Sequence, residues 1–149
     1  MYSFIVNPNA SGGRGERIWR KLEKQLKHLG VPYEAFVTEK TGDARRLACD
    51  LTEHQREPRI LIAVGGDGTV SEVLDGISFC GPVTLGYIPT GSGNDLARSL
   101  RLPKSPSRCL KKIMNPKYHK LLDYGVLSYG DHLTHRRFMV STGIGMDAM

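Results

Sequence analysis

The chain has 149 residues, of which 40% are hydrophobic, and its formal net charge is +6 at pH 7. This length fits one ordinary domain, and no stretch approaches the ~20 consecutive apolar residues that a membrane-spanning helix needs. The N-terminus lacks the basic lead of a secretory signal, and the three cysteines form no CxxC pair, so we expect a cytoplasmic protein with reduced thiols.

The first half of the chain alternates strands with helices. We predict a strand over residues 3–7, a helix from about residue 16 to residue 29, and a second strand over residues 33–38. Gly30 ends the first helix, and Asp43 caps the next one. Each helix has an apolar stripe at helical spacing, formed by Ile18, Leu22, Leu26 and Leu29 in the first and by Ala44, Leu47, Ala48 and Leu51 in the second.

The pattern continues beyond residue 58. Residues 59–64 form a continuous apolar run, as expected for a central parallel strand that is covered on both faces. A GGDGT turn at 65–69 and a helix over 70–77 follow it. The next strand, 83–88, leads into the sequence PTGSG and a helix over 94–100, and Ser105-Pro106 begins a short basic helix that ends near residue 114. This alternation predicts an α/β fold, a mostly parallel sheet with helices on both faces.

Three glycine-rich segments, at 11–15, 65–68 and 91–93, each follow a predicted strand. Right-handed crossovers place such loops at the same edge of a parallel sheet, so we expect them to line one crevice. Glycine-rich turns before a helix expose backbone N–H groups to a phosphate, although glycine is also required in tight turns for steric reasons alone. Three such turns in one crevice favour the phosphate site. Neither a P-loop motif nor a GxGxxG motif occurs.

Acidic residues accompany these turns. Asp67 has glycine on both sides, so its carboxylate has little steric cover and could reach Mg²⁺, its waters or a bound phosphate. The alternative is a turn-forming residue that bonds to its own backbone. Glu72 lies one turn into the next helix and could support the same site. Asn94 and Asp95 open a helix, where both residue types are common caps.

After residue 120 the pattern changes. Residues 121–127 and 138–141 predict two strands joined across Gly130-Asp131, which indicates an antiparallel hairpin without an intervening helix. We therefore divide the chain into an α/β domain over residues 1–120 and the beginning of an all-β domain over residues 121–149, which we expect to be incomplete because a lone hairpin is marginally stable in water.

Several motifs together resemble one known family. Asn7-Pro8 with Ser11-Gly12-Gly13, the GGDGT turn with Glu72, and the sequence PTGSGNDLAR at 89–98 look like the diacylglycerol kinase catalytic-domain family, which extends to sphingosine and ceramide kinases. Thr38 with Gly42-Asp43-Ala44 matches a further element, and residues 123–125 and 143–148 resemble the start of the family's second domain. These elements in this order are highly specific, and the resemblance covers nearly the whole chain.

The resemblance implies an ATP-dependent lipid kinase that transfers the γ-phosphate of ATP to a hydroxyl of a lipid such as diacylglycerol. ATP would lie between the α/β domain and a C-terminal β-sandwich, and Mg²⁺ would be held through water by Asp67 and Asp95. The family's general base lies in the C-terminal domain, so we predict no catalytic base here and expect the chain alone to transfer little or no phosphate. The implied nucleotide-binding residues are Asn7, Ser11, Gly12, Thr38, Gly65, Gly66, Asp67, Gly68, Thr69, Glu72, Thr90, Gly91, Ser92 and Asn94.

Other interpretations stay open. NAD kinases share a GGDGT turn, but the 89–98 element resembles the lipid kinases, and the chain has no Asn-Glu pair. A non-catalytic module that binds anions or nucleic acid would use residues 96–122, which hold eight cations and no acid. The same segment could instead be a solvated helix face, or could dock on an anionic membrane surface. Exposed β edges could also pair between two chains, so a homodimer is compatible with each of these interpretations.

Overall fold

The computed structural model of the chain describes residues 1–115, 117, 121–130 and 134–139. The strands are β1 Tyr2–Val6, β2 Tyr33–Val37, β3 Arg59–Gly65, β4 Val83–Pro89, β5 Gly125–Tyr129 and β6 Thr134–Phe138. The helices are α1 Ala10–Leu29, α2 Asp43–Thr52, α3 Asp67–Gly76, α4 Asp95–Ser99 and α5 Pro106–Ile113. Four parallel strands form one sheet in the order β2-β1-β3-β4, and β5 pairs antiparallel with β6 in a second sheet.

The core lies on both faces of the four-stranded sheet, because successive residues of a strand point to opposite faces. Phe4 and Val6 of β1 pack on one face with Trp19 of α1 and Leu110 of α5. Ile5, between them, packs on the other face with residues of α2, α3 and α4. This arrangement confirms the predicted α/β fold with helices on both faces.

The strand order places a topological switch point between β1 and β3. From β1 the chain crosses through α1 to β2 on one side, whereas β3 and β4 lie on the other side. In open α/β sheets the loops on the two sides of such a point form a crevice, which is the usual ligand position; we call this edge of the sheet the crevice. The ends of β1 and β3 are held together at this edge, because the backbone N–H of Asn7 donates to the carbonyl of Val64 over 2.8 Å.

Two helices start differently from the prediction, because the glycine-rich turns run directly into them. α3 begins at Asp67 instead of residue 70, so the GGDGT turn includes the first turn of this helix. α1 begins at Ala10, but Ser11, Gly12 and Gly13 have positive φ angles of 50°, 68° and 92°. Regular helical backbone resumes only after these three residues, close to the predicted start.

The antiparallel pairing near the end of the chain is present, but the predicted strand bounds are wrong. Residues 121–124 precede β5, and the apolar side chain of Leu121 that suggested a strand is fully exposed. β6 ends at Phe138, where the prediction began; its sequence THRRF lacks an apolar alternation, so the strand depends on pairing with β5. Residues 140 and 141, the motif at 143–148 and Lys120 lie outside the described residues.

Among the helices that the structure describes, none has the length and apolar character needed to span a bilayer.

The close packing of α2 against α3 generates a prediction. A Cβ on Gly76 would lie 2.1 Å from the carbonyl oxygen of Arg45, whereas a Cβ on Gly68, in the same helix, would meet no atom within 4 Å. We expect Gly76→Ala to lower the free energy of unfolding by about 1–3 kcal/mol through overpacking, and Gly68→Ala to leave it unchanged or raise it by up to ~1 kcal/mol. Urea unfolding of both variants measures this. Equal effects would show that helix propensity, and not the α2–α3 contact, decides the outcome.

Candidate functional site

The loops after β3 and β4 touch at the crevice through two glycines. A Cβ on Gly91 would lie 2.6 Å from the Cα of Gly66, so only glycine allows the backbones to approach this closely. The backbone N–H of Thr90 donates to the carbonyl of Gly65 over 2.8 Å and aligns the two loops. Two of the three predicted glycine segments therefore form one surface.

Asp67 joins the same two loops through its side chain. Its carboxylate accepts the backbone N–H of Asp95 over 2.8 Å and that of Leu96 over 3.2 Å. These N–H groups belong to the first turn of α4, which has no intrahelical acceptor for them. Asp67 thus bonds across the crevice to the start of α4, and its oxygens retain lone pairs for further donors or cations.

The loop after β1 reaches the same place through Asn7. Its amide nitrogen donates to the hydroxyl oxygen of Thr69 over 3.3 Å, and its amide oxygen accepts the backbone N–H of Asn9 over 3.0 Å. Thr69 packs over Gly65, where a Cβ would lie 2.3 Å from the Thr69 hydroxyl oxygen. Ser11 and its glycine neighbours form the exposed, left-handed turn that follows Asn7 in the chain. All three predicted segments therefore follow strands that end at the same edge of the sheet.

Glu72 holds a fourth loop, the one after β2. Both of its carboxylate oxygens accept the backbone N–H of Gly42 over 3.1 Å, at a residue whose φ is 92°. Thr38, at the start of this loop, is buried and donates its hydroxyl to the carbonyl of Val6 over 3.3 Å. The structure therefore connects Glu72 and Thr38 with the loop at 38–42, which neighbours the crevice, and the hydrogen bonds described for the Glu72 carboxylate go to this loop.

Asp43 completes the ordering of that loop. Its carboxylate accepts the backbone N–H groups of Glu39 over 2.8 Å and of Lys40 over 3.0 Å. These two hydrogen bonds hold the pKa of Asp43 below its ordinary value, because they stabilise the charged carboxylate.

The loop after β4 carries unpaired polar atoms. Asn94 has a left-handed φ of 54° and donates its amide to the carbonyl of Gly91 over 2.8 Å, while Ser92 is exposed. The amide oxygen of Asn94 and the hydroxyl of Thr90 are buried and have no hydrogen-bond partner among the described residues. A buried polar atom without a partner costs about 1–3 kcal/mol, so both atoms favour a water or ligand group at this position.

Tyr87 of β4 is a residue that sequence reasoning missed. Its hydroxyl is buried without a hydrogen-bond partner among the described residues. Burial, and after it the negative charge of Asp67, raises the pKa of this phenol, which therefore stays protonated. The signal in the sequence was a phenol hydroxyl near the end of a mostly apolar strand, next to the loop at 90–94.

The acidic residues at the crevice fit a cation that is also bound by waters and substrate phosphates. The described residues contain no group of three or more His, Cys, Asp or Glu side chains that could hold a metal. Asp95 is exposed and forms an ion pair with Arg98, which also donates to the carbonyl of Gly93. Mg²⁺ commonly uses one or two carboxylates together with waters and substrate phosphates. Asp67 and Asp95 fit this mode of binding and do not form an all-protein cage.

Basic side chains gather on the side of the sheet that carries α1 and α5. A groove of about 410 Å³ between α1 and the start of α5 is lined by Arg14, Arg17 and Lys21 of α1, and α5 exposes Arg108 and Lys111. We call these five residues the basic face. The sequence analysis singled out residues 96–122 and missed the α1 cations, although spacings of three and four residues place them on one helix face. Arg14 directly follows the turn at 11–13, so the basic face adjoins the crevice.

Comparisons with known proteins indicate one family. The family model described as diacylglycerol kinase catalytic domain matches residues 1–125. A Bacillus subtilis (strain 168) protein named "Putative lipid kinase YtlR" is 33% identical over 147 residues, which cover 97% of this chain and 48% of that protein. A diacylglycerol kinase of Staphylococcus saprophyticus is 38% identical over 100 residues, which cover 66% of this chain and 32% of that protein.

A solved structure gives the same result. The crystal structure of a diacylglycerol kinase from Bacillus anthracis str. Sterne has a TM-score of 0.66 with this chain at 30% identity, and the match covers 83% of this chain and 44% of that one. This chain thus spans about half the length, or less, of the relatives that it matches.

The lowered pKa of Asp43 predicts a pH-dependent stability. The native carboxylate holds its charge to lower pH than the unfolded one, whose pKa is about 3.9, so its contribution is present above that pH and is lost as the pH falls through the native pKa. Asp43→Asn should therefore lower the urea midpoint by a constant amount above about pH 5 and by less below about pH 4. Asp50→Asn, at an exposed carboxylate paired only with Arg46 in the structure, is the control. A difference that does not change with pH would contradict this account.

Proposed function

The chain belongs to the diacylglycerol kinase catalytic-domain family, and on this premise we propose that it is the nucleotide-binding part of an ATP-dependent lipid kinase. The reaction is transfer of the γ-phosphate of ATP to a lipid hydroxyl, such as that of diacylglycerol. The family match confirms the resemblance that the motifs at 7–13, 65–72 and 89–98 indicated, and it favours a lipid kinase over an NAD kinase or a non-catalytic module.

The observation that carries the proposal is that three glycine-rich turns follow the parallel strands β1, β3 and β4 at one edge of the sheet, and that two of these turns are in contact. α3 begins at Asp67, inside the 65–69 turn, so the positive end of its macrodipole points into the crevice. A phosphate there would meet backbone N–H groups without a Cβ in its way at Gly66, Gly68 and Gly91. The buried oxygens of Thr90 and Asn94, which lack partners among the described residues, are consistent with a ligand or its water at this edge.

Mg²⁺ fits the same crevice through Asp67 and Asp95. When bound with ATP it neutralises charge on the phosphates, which is its general contribution to phosphoryl transfer. The chain's own part is to hold Asp67 in place: two backbone N–H groups of α4 fix the carboxylate, while Arg98 orients Asp95. Phosphoryl transfer depends mainly on positioning and charge neutralisation, and a preformed crevice of this kind would provide both.

The acceptor side belongs to a different part of the fold. We assign residues 1–120 to the nucleotide-binding domain and residues 121–149 to the beginning of a second domain, since β5 and β6 form a sheet of their own. We propose that the lipid-binding surface and the general base lie in the region that the longer relatives have beyond the matched part. The 149-residue chain should then transfer little or no phosphate, and turnover of diacylglycerol by it would contradict this point.

The basic face supports a peripheral membrane contact. Its five cations lie on α1 and α5, and Arg14 directly follows the 11–13 turn, so an anionic membrane docked there would bring lipid toward the crevice. Each cation close to such a surface contributes roughly 1 kcal/mol. A homodimer through exposed β edges stays a prediction.

Isothermal titration tests the nucleotide site. We expect the wild-type chain to bind Mg²⁺–ATP and Asp67→Asn to bind it at least tenfold more weakly. The neutral amide loses the charged hydrogen bonds that order the start of α4, and such hydrogen bonds are worth about 1.5–3 kcal/mol. Asp50→Asn removes the same charge from an exposed carboxylate at the far end of α2 and should bind like the wild type. Chelation of Mg²⁺ should weaken binding of ATP to the wild type. Equal affinities for the two variants would exclude Asp67 from the site.

Vesicle sedimentation tests the basic face. Arg17→Gln combined with Lys21→Gln should weaken binding to phosphatidylserine-containing vesicles by about tenfold or more, since two cations near the surface are lost. The matched control is Arg20→Gln with Lys27→Gln, on the same helix, where both cations pair with glutamates at i−4. An equal loss in the control would mean that net charge alone matters. Equal binding of the wild type to neutral vesicles would remove the proposal.

A further inference from the structure

Arg137 on β6 reaches the end of α3, far along the chain from its own strand. One nitrogen of its guanidinium lies 3.1 Å from the carbonyl oxygen of Leu74, 2.5 Å from that of Ile77 and 3.4 Å from that of Asp75. The last carbonyls of a helix have no intrahelical donor, and a cation there also interacts favourably with the macrodipole. The guanidinium therefore caps the C-terminus of α3.

The carboxylate of Asp75 strengthens the same junction. One oxygen accepts the backbone N–H of Arg137 over 3.0 Å. The other lies 3.5 Å from the guanidinium of Arg136 and 3.7 Å from that of Arg45 on α2. Only 9% of the Asp75 side chain is exposed, so α2, α3 and β6 meet around one nearly buried carboxylate.

An aromatic pair covers the guanidinium of Arg137. Phe79, after α3, and Tyr124, before β5, stack with ring planes 3° apart and centroids separated by 5.9 Å. The guanidinium carbon lies 4.8 Å from the centroid of Phe79 and 5.8 Å from that of Tyr124. Such cation–π geometry favours a planar guanidinium over an ammonium, because the guanidinium can stack and donate to several carbonyls at once.

The β5–β6 sheet needs an external contact of this kind. A two-stranded sheet is marginally stable by itself in water. Val126 and Tyr129 of β5 are exposed, so this strand buries little apolar surface. Among the described residues, this sheet and the residues that flank it contact the α/β unit through Arg137, the ion pair of Arg136 with Asp75, the stacking of Tyr124 on Phe79, and a partly buried contact of Met139 with the core.

We propose that Arg137 is an interdomain clamp that fixes the β5–β6 sheet on the C-terminus of α3. α3 begins in the 65–69 turn of the crevice and, with ten residues, is about 15 Å long. A sheet fixed at its far end therefore has a defined position relative to the crevice. The consequence for phosphoryl transfer, a fixed distance between nucleotide and acceptor side, rests on the proposed function; the clamp itself does not.

Amide hydrogen exchange of the 149-residue chain tests the clamp. In Arg137→Met, which keeps an unbranched side chain but offers no donor, we expect the amides of β5 and β6 to exchange at least fivefold faster than in the wild type. The amides of β1, β3 and β4 should stay within twofold and report that the α/β unit is folded. Arg137→Lys should resemble Arg137→Met, because an ammonium has no planar face to stack on Phe79 and Tyr124 while it donates to the carbonyls of α3. Arg20→Met, at an exposed arginine of α1 that pairs with Glu16, is the control and should stay within twofold.

Each other outcome contradicts the clamp. A change below fivefold in β5 and β6 would mean that other contacts hold the sheet. Faster exchange in all strands would show that Arg137 serves global stability, and full protection in Arg137→Lys would show that charge alone suffices. Mg²⁺–ATP titrated into Arg137→Met should give the wild-type Kd within twofold, and a larger loss would place Arg137 in the crevice instead. If the wild type itself binds no nucleotide, the proposed function fails while the exchange rates still decide the clamp.

Discussion

The carboxylate of Asp67 is the interaction on which the crevice depends. It accepts two backbone N–H groups at the start of α4, while its own residue begins α3. The turns after β3 and β4 are thereby one unit, and the contact between Gly66 and Gly91 closes it sterically. Replacing either glycine would separate the backbones, and neutralising Asp67 would leave the start of α4 without its charged acceptor. The surface that we propose to bind phosphate is thus held together by the chain's own contacts, and a preformed surface limits the ordering cost of binding.

Local sequence signals were sufficient where a feature depends on neighbours in the chain. The apolar run at 59–64 predicted the central strand, and the glycine segments predicted the turns. Strand composition, the positive φ angles at 12–13 and the close backbone approach at Gly66 and Gly91 each require particular residue types and so leave direct marks on the sequence. Contacts between distant residues leave no such marks. The partner of Glu72 is Gly42, thirty residues away, and that of Arg137 is the end of α3, about sixty residues away. The strand THRRF was missed for the same reason, since its pairing partner rather than its own pattern determines it.

The structure separates the parts of the proposed reaction. For the proposed donor side the structure shows the edge of the sheet at its switch point, two carboxylates that fit Mg²⁺ with phosphates, and the N-terminus of α3 in the 65–69 turn. Family membership supplies the expectation of a lipid acceptor, while the matched relatives are about twice as long as this chain or longer. The basic face next to the crevice gives a physical reason for a lipid surface to approach from the side of α1 and α5. The Arg137 junction gives a reason for the second sheet to keep a fixed position during that approach.

The most direct test of the central claim is a map of backbone amide shifts of the isotope-labelled chain during titration with Mg²⁺–ADP. The account predicts that the perturbed amides are those of the three turns, at 11–13, 66–69 and 91–95, together with the loop at 38–42 that Glu72 holds. Shifts centred elsewhere, for example around α2 or the β5–β6 sheet, or no shifts in a chain whose spectrum shows it to be folded, would contradict a nucleotide site at the switch point between β1 and β3.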